Sequence, residues 1–477
     1  MSQFEPAPPT LATTRAPADR LTRLLRPRLL RMLDKLEGGS LTVLEGRERH
    51  VLGKGGARNV TLRIHDSRAW RRMALGGTVA AAEAYMDGQW ETDDLVGLVR
   101  LFAYNLEQVN DSVDSGTSRL SKWALSVAYA LARNTLAGSK RNISAHYDLG
   151  NDLFELFLDR EHRMYSAAVF PYPEASLEAA STHKLEKLFN LLELGPQHHL
   201  LEIGTGWGGL AIHAARTRGC RVTTTTISDE QHAYTRARIA AEGLEDRITL
   251  LKEDYRALEG RFDRIVSVEM IEAVGHQYLP TYLKTLERLL EPEGLIALQA
   301  ITIRDQRFVA ASREMDFIKR YIFPGGFLPS HAAILTAMQQ DTQLNLLQLE
   351  DIGLHYAATL KAWGQRFEAR LGEVYAQGYD ERFVRMWRYY LAYCEGGFRE
   401  RTIGTCQLLL GGRGRVRSRR GSRIGTPEHA VRAPWSTAQC RALSARLVLL
   451  RAGRLDGRPA GHAADIGRAS VADRADE

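Results

Sequence analysis

Residues 198–209, His-His-Leu-Leu-Glu-Ile-Gly-Thr-Gly-Trp-Gly-Gly, constrain the fold of this chain more than any other stretch. A short apolar run (Leu200, Leu201, Ile203) breaks into four glycines, Gly204, Gly206, Gly208 and Gly209, and an amphipathic segment from Leu210 to Arg218 follows at once. Strand, glycine turn and helix in that order form the first unit of a Rossmann-like domain. Glycines let the backbone turn sharply and approach a ligand with no Cβ in the way. The helix N-terminus behind them offers free N–H groups and the positive end of a dipole.

The pattern is G-x-G-x-G-G, not the G-x-G-x-x-G of dinucleotide sites, and Glu202 stands just before the loop. A carboxylate there repels a pyrophosphate but suits the cationic amino-acid end of S-adenosylmethionine (SAM). The candidate cofactor is therefore SAM, with Gly204, Thr205, Gly206, Trp207 and Gly208 forming the loop that carries it. A bare structural turn is the alternative.

From Asn142 onward, strands and helices alternate. Helix Leu177 to Leu194, with Ser176 as N-cap, precedes strand 199–203. Strands follow at Arg221 to Ile227, Ile248 to Leu251, Arg264 to Val268 and Leu295 to Ile301, separated by helices Glu230 to Glu242 and Tyr278 to Leu290. This predicts an α/β, doubly wound, mostly parallel sheet. A strand near Leu346 to Leu349 and helices to Phe398 come next. A last strand, Cys406 to Leu410, is expected as an antiparallel edge.

Before this domain, short strands at Leu41 to Leu44 and Val60 to Ile64, with helical stretches at Val79 to Met86 and Asp93 to Phe102, predict a small α+β domain over 20–105. Residues 18–37 carry leucines at helical spacing, with interleaved arginines and Pro27, which should kink or divide the helix. That segment either packs on its own domain with its arginines solvated or lies on an anionic membrane surface. Residues 106–118 read as a polar linker. Residues 119–141 read as an apolar block with basic flanks, either lying in a membrane interface or buried between domains.

The net charge of +7 is carried by the end of the chain: from Arg413 onward there are 14 arginines and 6 acids. The body is thus near neutral, which argues against a nucleic-acid partner. The tail, 412–477, reads as disordered and dispensable. Four scattered cysteines with no C-x-x-C argue against a disulfide framework or zinc site and fit a reducing compartment. With no signal peptide and no apolar run long enough to span a bilayer, the expected location is cytoplasmic.

Ligands in such sheets bind beyond the carboxyl ends of the strands. The second strand ends without the usual acid, leaving Thr226 or Gln231 to meet the ribose. Asp254 and Tyr255, after the third strand, are placed for adenine. The fourth ends in SVEMIEAVGH, with Glu269 and Glu272 three apart; on a helical turn they would share one face. Two acids at a ligand crevice point to stabilising a developing cation or removing a proton.

HYDLGNDLFELFLD (146–159), MYSAAVF (164–170), LEIGTGWGG, TISDEQ (226–231), EDYR (253–256), DRIVSVEMIEAVGH (263–276) and DFIKRYIFPGGFLPS (316–330) together resemble cyclopropane-fatty-acyl-phospholipid synthases, a family that includes mycolic acid cyclopropane synthases. The later pieces IGLHYAATLKAW (352–363) and YYLAYCEGGFRER (389–401) agree. The resemblance implies SAM-dependent attack by the cis double bond of an unsaturated phospholipid acyl chain, a carbocation, and proton loss that closes a three-membered ring. It implies association with the membrane surface, admits a homodimer, and implies a bicarbonate ion as base. Glu272 and Tyr356 match two bicarbonate-anchoring positions, and Cys394 matches a cysteine considered catalytic. Tyr165, Ser166, the glycine loop, Thr226, Gln231 and Tyr255 match SAM contacts. Ala167 and Gln299 replace a cysteine and a histidine that help hold the bicarbonate. SVEMIEAVGH with LQAITI looks more like plant cyclopropane synthases and enzymes that make methylene-branched fatty acids, so a methylene branch is the alternative product. A non-catalytic lipid-binding relative is the third reading. A carbocation needs a water-poor pocket, for which Phe170, Tyr172, Phe317, Tyr321 and Phe323 are candidate linings.

Overall fold

The computed structural model describes residues 19–105 and 150–414. The expected linker and apolar block over 106–141, and the arginine-rich segment from 415 on, lie outside the described residues.

The chain opens with helix α1 (Arg20–Leu33), capped by Asp19, whose side chain accepts from the Thr22 amide. Pro27 lies inside one continuous helix rather than dividing it. Strands β1 (Gly39–Glu45), β2 (Glu48–Gly55) and β3 (Arg58–Ile64), helix α2 (Arg68–Met86), strand β4 (Trp90–Thr92) and helix α3 (Leu95–Tyr104) follow. The strands form one sheet of order β2-β1-β3-β4. Helix α2 is kinked at Gly77, whose φ of 59° and ψ of −145° lie far from helical values. Only a glycine holds such a backbone without strain.

The second part begins with a short helix α4 (Asn151–Glu155) and helix α5 (Leu177–Leu191), the latter N-capped by Ser176 as expected. Then come β5 (His199–Ile203), α6 (Gly209–Arg218), β6 (Arg221–Thr225), α7 (Asp229–Ala241), β7 (Ile248–Leu251), β8 (Phe262–Val268), α8 (Leu279–Leu289) and β9 (Leu290–Ile303). Helices α9 (Asp305–Ala311) and α10 (His331–Asp341), strand β10 (Asn345–Asp351), helices α11 (Gly353–Ala369), α12 (Leu371–Ala376) and α13 (Glu381–Arg399), and strand β11 (Ile403–Gly411) complete it. The sheet order is β10-β11-β9-β8-β5-β6-β7. Strands β9, β8, β5, β6 and β7 run parallel, and β11 pairs antiparallel with both β9 and β10. The final strand is therefore antiparallel, as expected, but interior. Its residues Thr405 to Leu408 are buried, and β10, with Leu346, Leu347 and Leu349 exposed, takes the edge.

One apolar cluster joins the small sheet to the helices of the larger part, running from Leu41, Val43 and Trp70 through Phe154 and Phe157 to Trp363 and Trp387. Helix α13 carries much of this junction. Arg385 donates to the carbonyls of Tyr85 and Trp90, and Glu400 pairs with both Arg58 and Arg100. Residues 20–105 thus pack against helix α13 of the larger part. Strand β8 lies beside β5, so the acids after β8 emerge next to the glycine loop.

Candidate active site

A cavity of about 490 Å³ opens at the carboxyl ends of β5, β6, β7 and β8. Its wall includes Glu202, Gly204, Thr205, Gly206, Trp207, Thr226, Gln231, Asp254 and Tyr255, together with Tyr165, Ser166, Glu269, Glu272, Tyr356 and Cys394. Gly208 and Gln299 are the expected site residues not on this wall. Gly208 stands at the head of α6, and Gln299 lies buried behind Glu269.

The glycine loop holds its shape through its neighbours. The amides of Gly204 and Thr205 both donate to the Thr225 carbonyl, at 3.2 and 3.0 Å. Gly204 has a φ of 101°, in the region that favours glycine. A Cβ at Gly209 would sit 2.0 Å from the His162 carbonyl oxygen, so only glycine lets helix α6 start this close to that segment. Trp207 is pinned by a 2.8 Å bond from its Nε1 to Asn151.

Glu202 is buried and accepts a 2.6 Å bond from the Thr224 hydroxyl, while burial pushes its carboxyl up to about 8. A cationic ligand group brought to this oxygen would recover the ionised form. Thr226 donates to Gln231 at 2.9 Å, so the two residues expected at the ribose form one unit. Both oxygens of Asp254 bind Arg256 at 2.7 Å, which fixes the carboxylate beside Tyr255. Tyr255, pushed up to about 12 by burial, keeps its proton, and its hydroxyl has no partner among the described residues. An amino-acid end, ribose hydroxyls and a purine would each find a group of suitable chemistry here, so the residues fit SAM.

The acids after β8 do not share a helical face. Glu269 ends the strand with a φ of 51°, and a tight turn covers Ile271–Ala273. Non-glycine residues rarely adopt this left-handed backbone, which costs about 1 kcal/mol and persists where surrounding contacts impose it. The contacts are explicit. Glu269 Oε1 accepts from the Ala167 amide at 2.8 Å and from Gln299 Nε2 at 2.8 Å, and Oε2 accepts from the Tyr356 hydroxyl at 2.9 Å. Gln299 is oriented from behind by Gln407, its cross-strand partner on β11, which donates to Gln299 Oε1 at 2.9 Å. Glu272 is half-buried like Glu269 and, among the described residues, accepts from the Ile301 amide alone, through Oε1. Its Oε2 has no partner among the described residues. Burial and the neighbouring Glu269 push Glu272 up to about 8, so it is largely protonated at neutral pH.

Tyr356, Gln299 and the Ala167 amide converge on the Glu269 carboxylate. Of the two expected bicarbonate anchors, Tyr356 is thus engaged with Glu269, while Glu272 keeps an oxygen with no partner among the described residues. The expected aromatic lining is corrected. Of Phe170, Tyr172, Phe317, Tyr321 and Phe323, only Phe323 reaches the cavity. Tyr172 is 57% exposed, Phe317 is core, Phe170 lies against His355, and Tyr321 bonds Glu83 at 2.6 Å. The aromatic wall comes instead from Tyr165, Tyr356, Tyr390, Tyr393, Phe327 and Phe398, with Tyr165 stacked 5.3 Å from Trp363 and bonded to Tyr390 at 2.8 Å. The Cys394 thiol is driven well above its ordinary range by burial, so it stays protonated.

Sequence reading missed Lys184. It sits on the buried face of α5 among Leu177, Ala180, Leu185 and Leu188, and its ammonium donates to Ser166 at 2.8 Å. Burial lowers it to about 8, opposed by Glu269, Asp159 and Glu202, for which it is the buried counter-charge. Helical spacing alone placed a lysine in an apolar stripe; that was the available signal.

Glycine loop, strand-end polar groups and buried acids around one cavity define a SAM-dependent methyltransferase. Comparison with known proteins places it further. The family model described as mycolic acid cyclopropane synthetase matches residues 135–408. Tuberculostearic acid methyltransferase UfaA1 of Mycobacterium tuberculosis is 38% identical over 370 residues, covering 75% of this chain and 84% of that protein. The cyclopropane-fatty-acyl-phospholipid synthase of Escherichia coli (strain K12) is 36% identical over 361 residues, covering 74% and 88%. The crystal structure of mycolic acid cyclopropane synthase CmaA1 complexed with SAH and CTAB matches with a TM-score of 0.53 at 28% identity, covering 57% of this chain and 98% of that one. The chain belongs to the mycolic acid cyclopropane synthetase family.

Proposed function

We propose that this enzyme transfers one carbon from SAM to the cis double bond of an unsaturated phospholipid acyl chain and closes a cyclopropane ring. Family membership gives the coarser statement directly: the activity is SAM-dependent cyclopropane or methyl transfer to fatty acyl chains. The observation that supports the finer reading is a hydrogen-bonded carboxylate on the wall of the cavity that also contains the glycine loop. A substrate carbocation that must lose a proton to close a ring needs an acceptor beside the reacting carbon, and this carboxylate can serve.

In this reading Glu202, the glycine loop, Thr226, Gln231, Asp254 and Tyr255 hold SAM, which supplies an electrophilic methyl group when bound. Tyr165, Tyr356, Tyr390 and Phe398 surround the reacting region with aromatic faces that stabilise positive charge. Ile301, Ile318, Phe323, Leu328 and Leu360 give the same cavity an apolar wall suited to an acyl chain and poor in water, which would otherwise trap the cation as an alcohol. Cys394 acts as wall rather than as base.

Contact with a membrane surface is part of the proposal. No helix among the described residues is long and apolar enough to cross a membrane. Helix α1 packs its second half on the small sheet, with Arg26 paired to Glu45 and Glu48, while Leu21 and Leu24 are exposed beside Arg20 and Arg23. An exposed leucine pair flanked by arginines suits a lipid headgroup boundary. The similarity to UfaA1 favours one second reading, in which the same cation ends in a branch rather than a ring.

The test is conversion of vesicles of dioleoyl-phosphatidylglycerol by the purified enzyme with SAM, followed by gas chromatography and mass spectrometry of the fatty acid methyl esters. A saturated ring product resistant to mild hydrogenation supports the proposal. A product of the same mass that takes up hydrogen assigns the branched reading instead, and SAM binding with no lipid product rejects both.

A further inference from the structure

We infer that Glu269 is the base of this enzyme, a carboxylate built into the chain at the place where a bound bicarbonate would otherwise serve. The inference rests on the function proposed above and names the group that completes it.

Three donors converge on this one side chain from three separate parts of the fold: the Ala167 amide from the segment after α4, Gln299 from β9 and Tyr356 from α11. Such a constellation holds a planar, two-oxygen anion. Gln407 locks Gln299 so that its amide nitrogen faces Glu269 and the Ala167 carbonyl. Lys184 adds a buried positive charge acting on the same carboxylate. The left-handed backbone at Glu269 is the local cost of delivering a side chain to this point, and observed strain of this kind clusters at functional sites.

The other candidates on the wall are less suited. Glu272 has a single donor and an unpartnered oxygen, which leaves it the neutral member of the pair. Burial raises both carboxyls, but in Glu269 the three donors and Lys184 oppose that rise, so Glu269 is the member of the pair better held as an anion. The Cys394 thiol and the Tyr356 hydroxyl both hold their protons. Lys184 lies behind the wall, fully buried, and is engaged with Ser166.

The step balances as follows. The C–H bond of the carbon newly attached to the substrate cation breaks. Its electron pair forms the second carbon–carbon bond of the ring, and the proton passes to a Glu269 oxygen. The resulting carboxylic acid returns its proton to solvent after the product leaves.

The experiment uses the full chain, SAM and the same dioleoyl-phosphatidylglycerol vesicles, in buffer purged of carbon dioxide and in buffer with added bicarbonate. The wild-type rate should be equal in the two. Glu269→Gln should lose about 100-fold or more in kcat, with no rescue, because the amide fills the space and cannot accept the proton. Glu269→Gly suits the left-handed backbone and should fold; its lost activity should be restored at least in part by bicarbonate or formate. SAM affinity, measured by calorimetry, should stay near wild type in both variants, which separates a chemical defect from misfolding. A wild-type rate that collapses without bicarbonate and returns with it would overturn the inference, whatever the variants do. So would E269Q retaining more than about a tenth of the rate, or E269G failing to respond to either anion while still binding SAM. If the wild type yields no product in either buffer, the proposed function itself fails, and this inference falls with it.

Discussion

Replacing Glu272 with glutamine should make the protein more stable at neutral pH, by an amount that depends on pH in a calculable way. The Glu272 carboxyl is buried, one oxygen is unpartnered among the described residues, and Glu269 lies close enough to repel its charge. Its ordinary value of 4.5 rises to about 8 in the fold. A carboxyl raised in this way contributes most favourably below the unfolded value and progressively less as pH climbs toward the folded one. By linkage, taking up the proton costs about 1 kcal/mol at pH 5 and about 3 kcal/mol at pH 7. Glu272→Gln keeps an oxygen for the Ile301 amide and has no proton to take up. Its melting temperature should therefore pull ahead of wild type by about 4 °C more at pH 7 than at pH 5, at about 2 °C per kcal/mol for a unit of this size. Scanning fluorimetry of ligand-free protein across that pH range measures the gap. A gap constant with pH would refute the assignment of a neutral Glu272, and with it the division of labour between the two acids.

Three further outcomes follow from the same site. Tyr356→Phe removes one of the three donors to Glu269 and should lower kcat by about 10- to 100-fold with SAM affinity unchanged, read by single-turnover kinetics. Lys184→Met removes the buried cation acting on a carboxylate that is bonded to Gln299, the Ala167 amide and Tyr356 and also faces Glu272 and Tyr390. Glu269 is already held above the ordinary range by burial, so losing Lys184 should shift the acid limb of the pH–rate profile upward by about one unit. An unmoved limb would show that Lys184 does not act on the base. Cys394→Ala should keep activity within about threefold of wild type in the vesicle assay, well short of the about 100-fold loss expected of a base or nucleophile.

Much of the larger sheet was legible in the sequence because its signals are local. Strand His199–Ile203 and strand Ile248–Leu251 fall where apolar runs meet turn residues, and the Ser176 cap marks the start of α5. Strand β2 was missed because only Leu52 of its eight residues is buried, so no alternation shows. The first half of α2 was missed because Gly76 and Gly77 interrupt the helical pattern, and the chain does break there. The interior position of β11 depends on where β10 docks, which neither segment encodes alone. At the site, the strand ends do bring the acids and the residues expected at the cofactor onto one cavity wall. What the sequence could not show is who holds Glu269. Its donors lie 102, 30 and 87 residues away and meet it only through the fold. The aromatic wall failed as a forecast for the same reason: an aromatic residue near a motif faces the cavity only if its own segment turns that way, as Phe323 does and Tyr172 does not.

The central claim is that a proton leaves the transferred carbon inside this cavity. Supplying SAM with a trideuterated methyl group and weighing the lipid product tests it directly. The account predicts that the added carbon keeps two of its three deuterons, in a product that resists mild hydrogenation. An added carbon that keeps all three would mean transfer of an intact methyl group, and would contradict a mechanism in which Glu269 takes a proton from it.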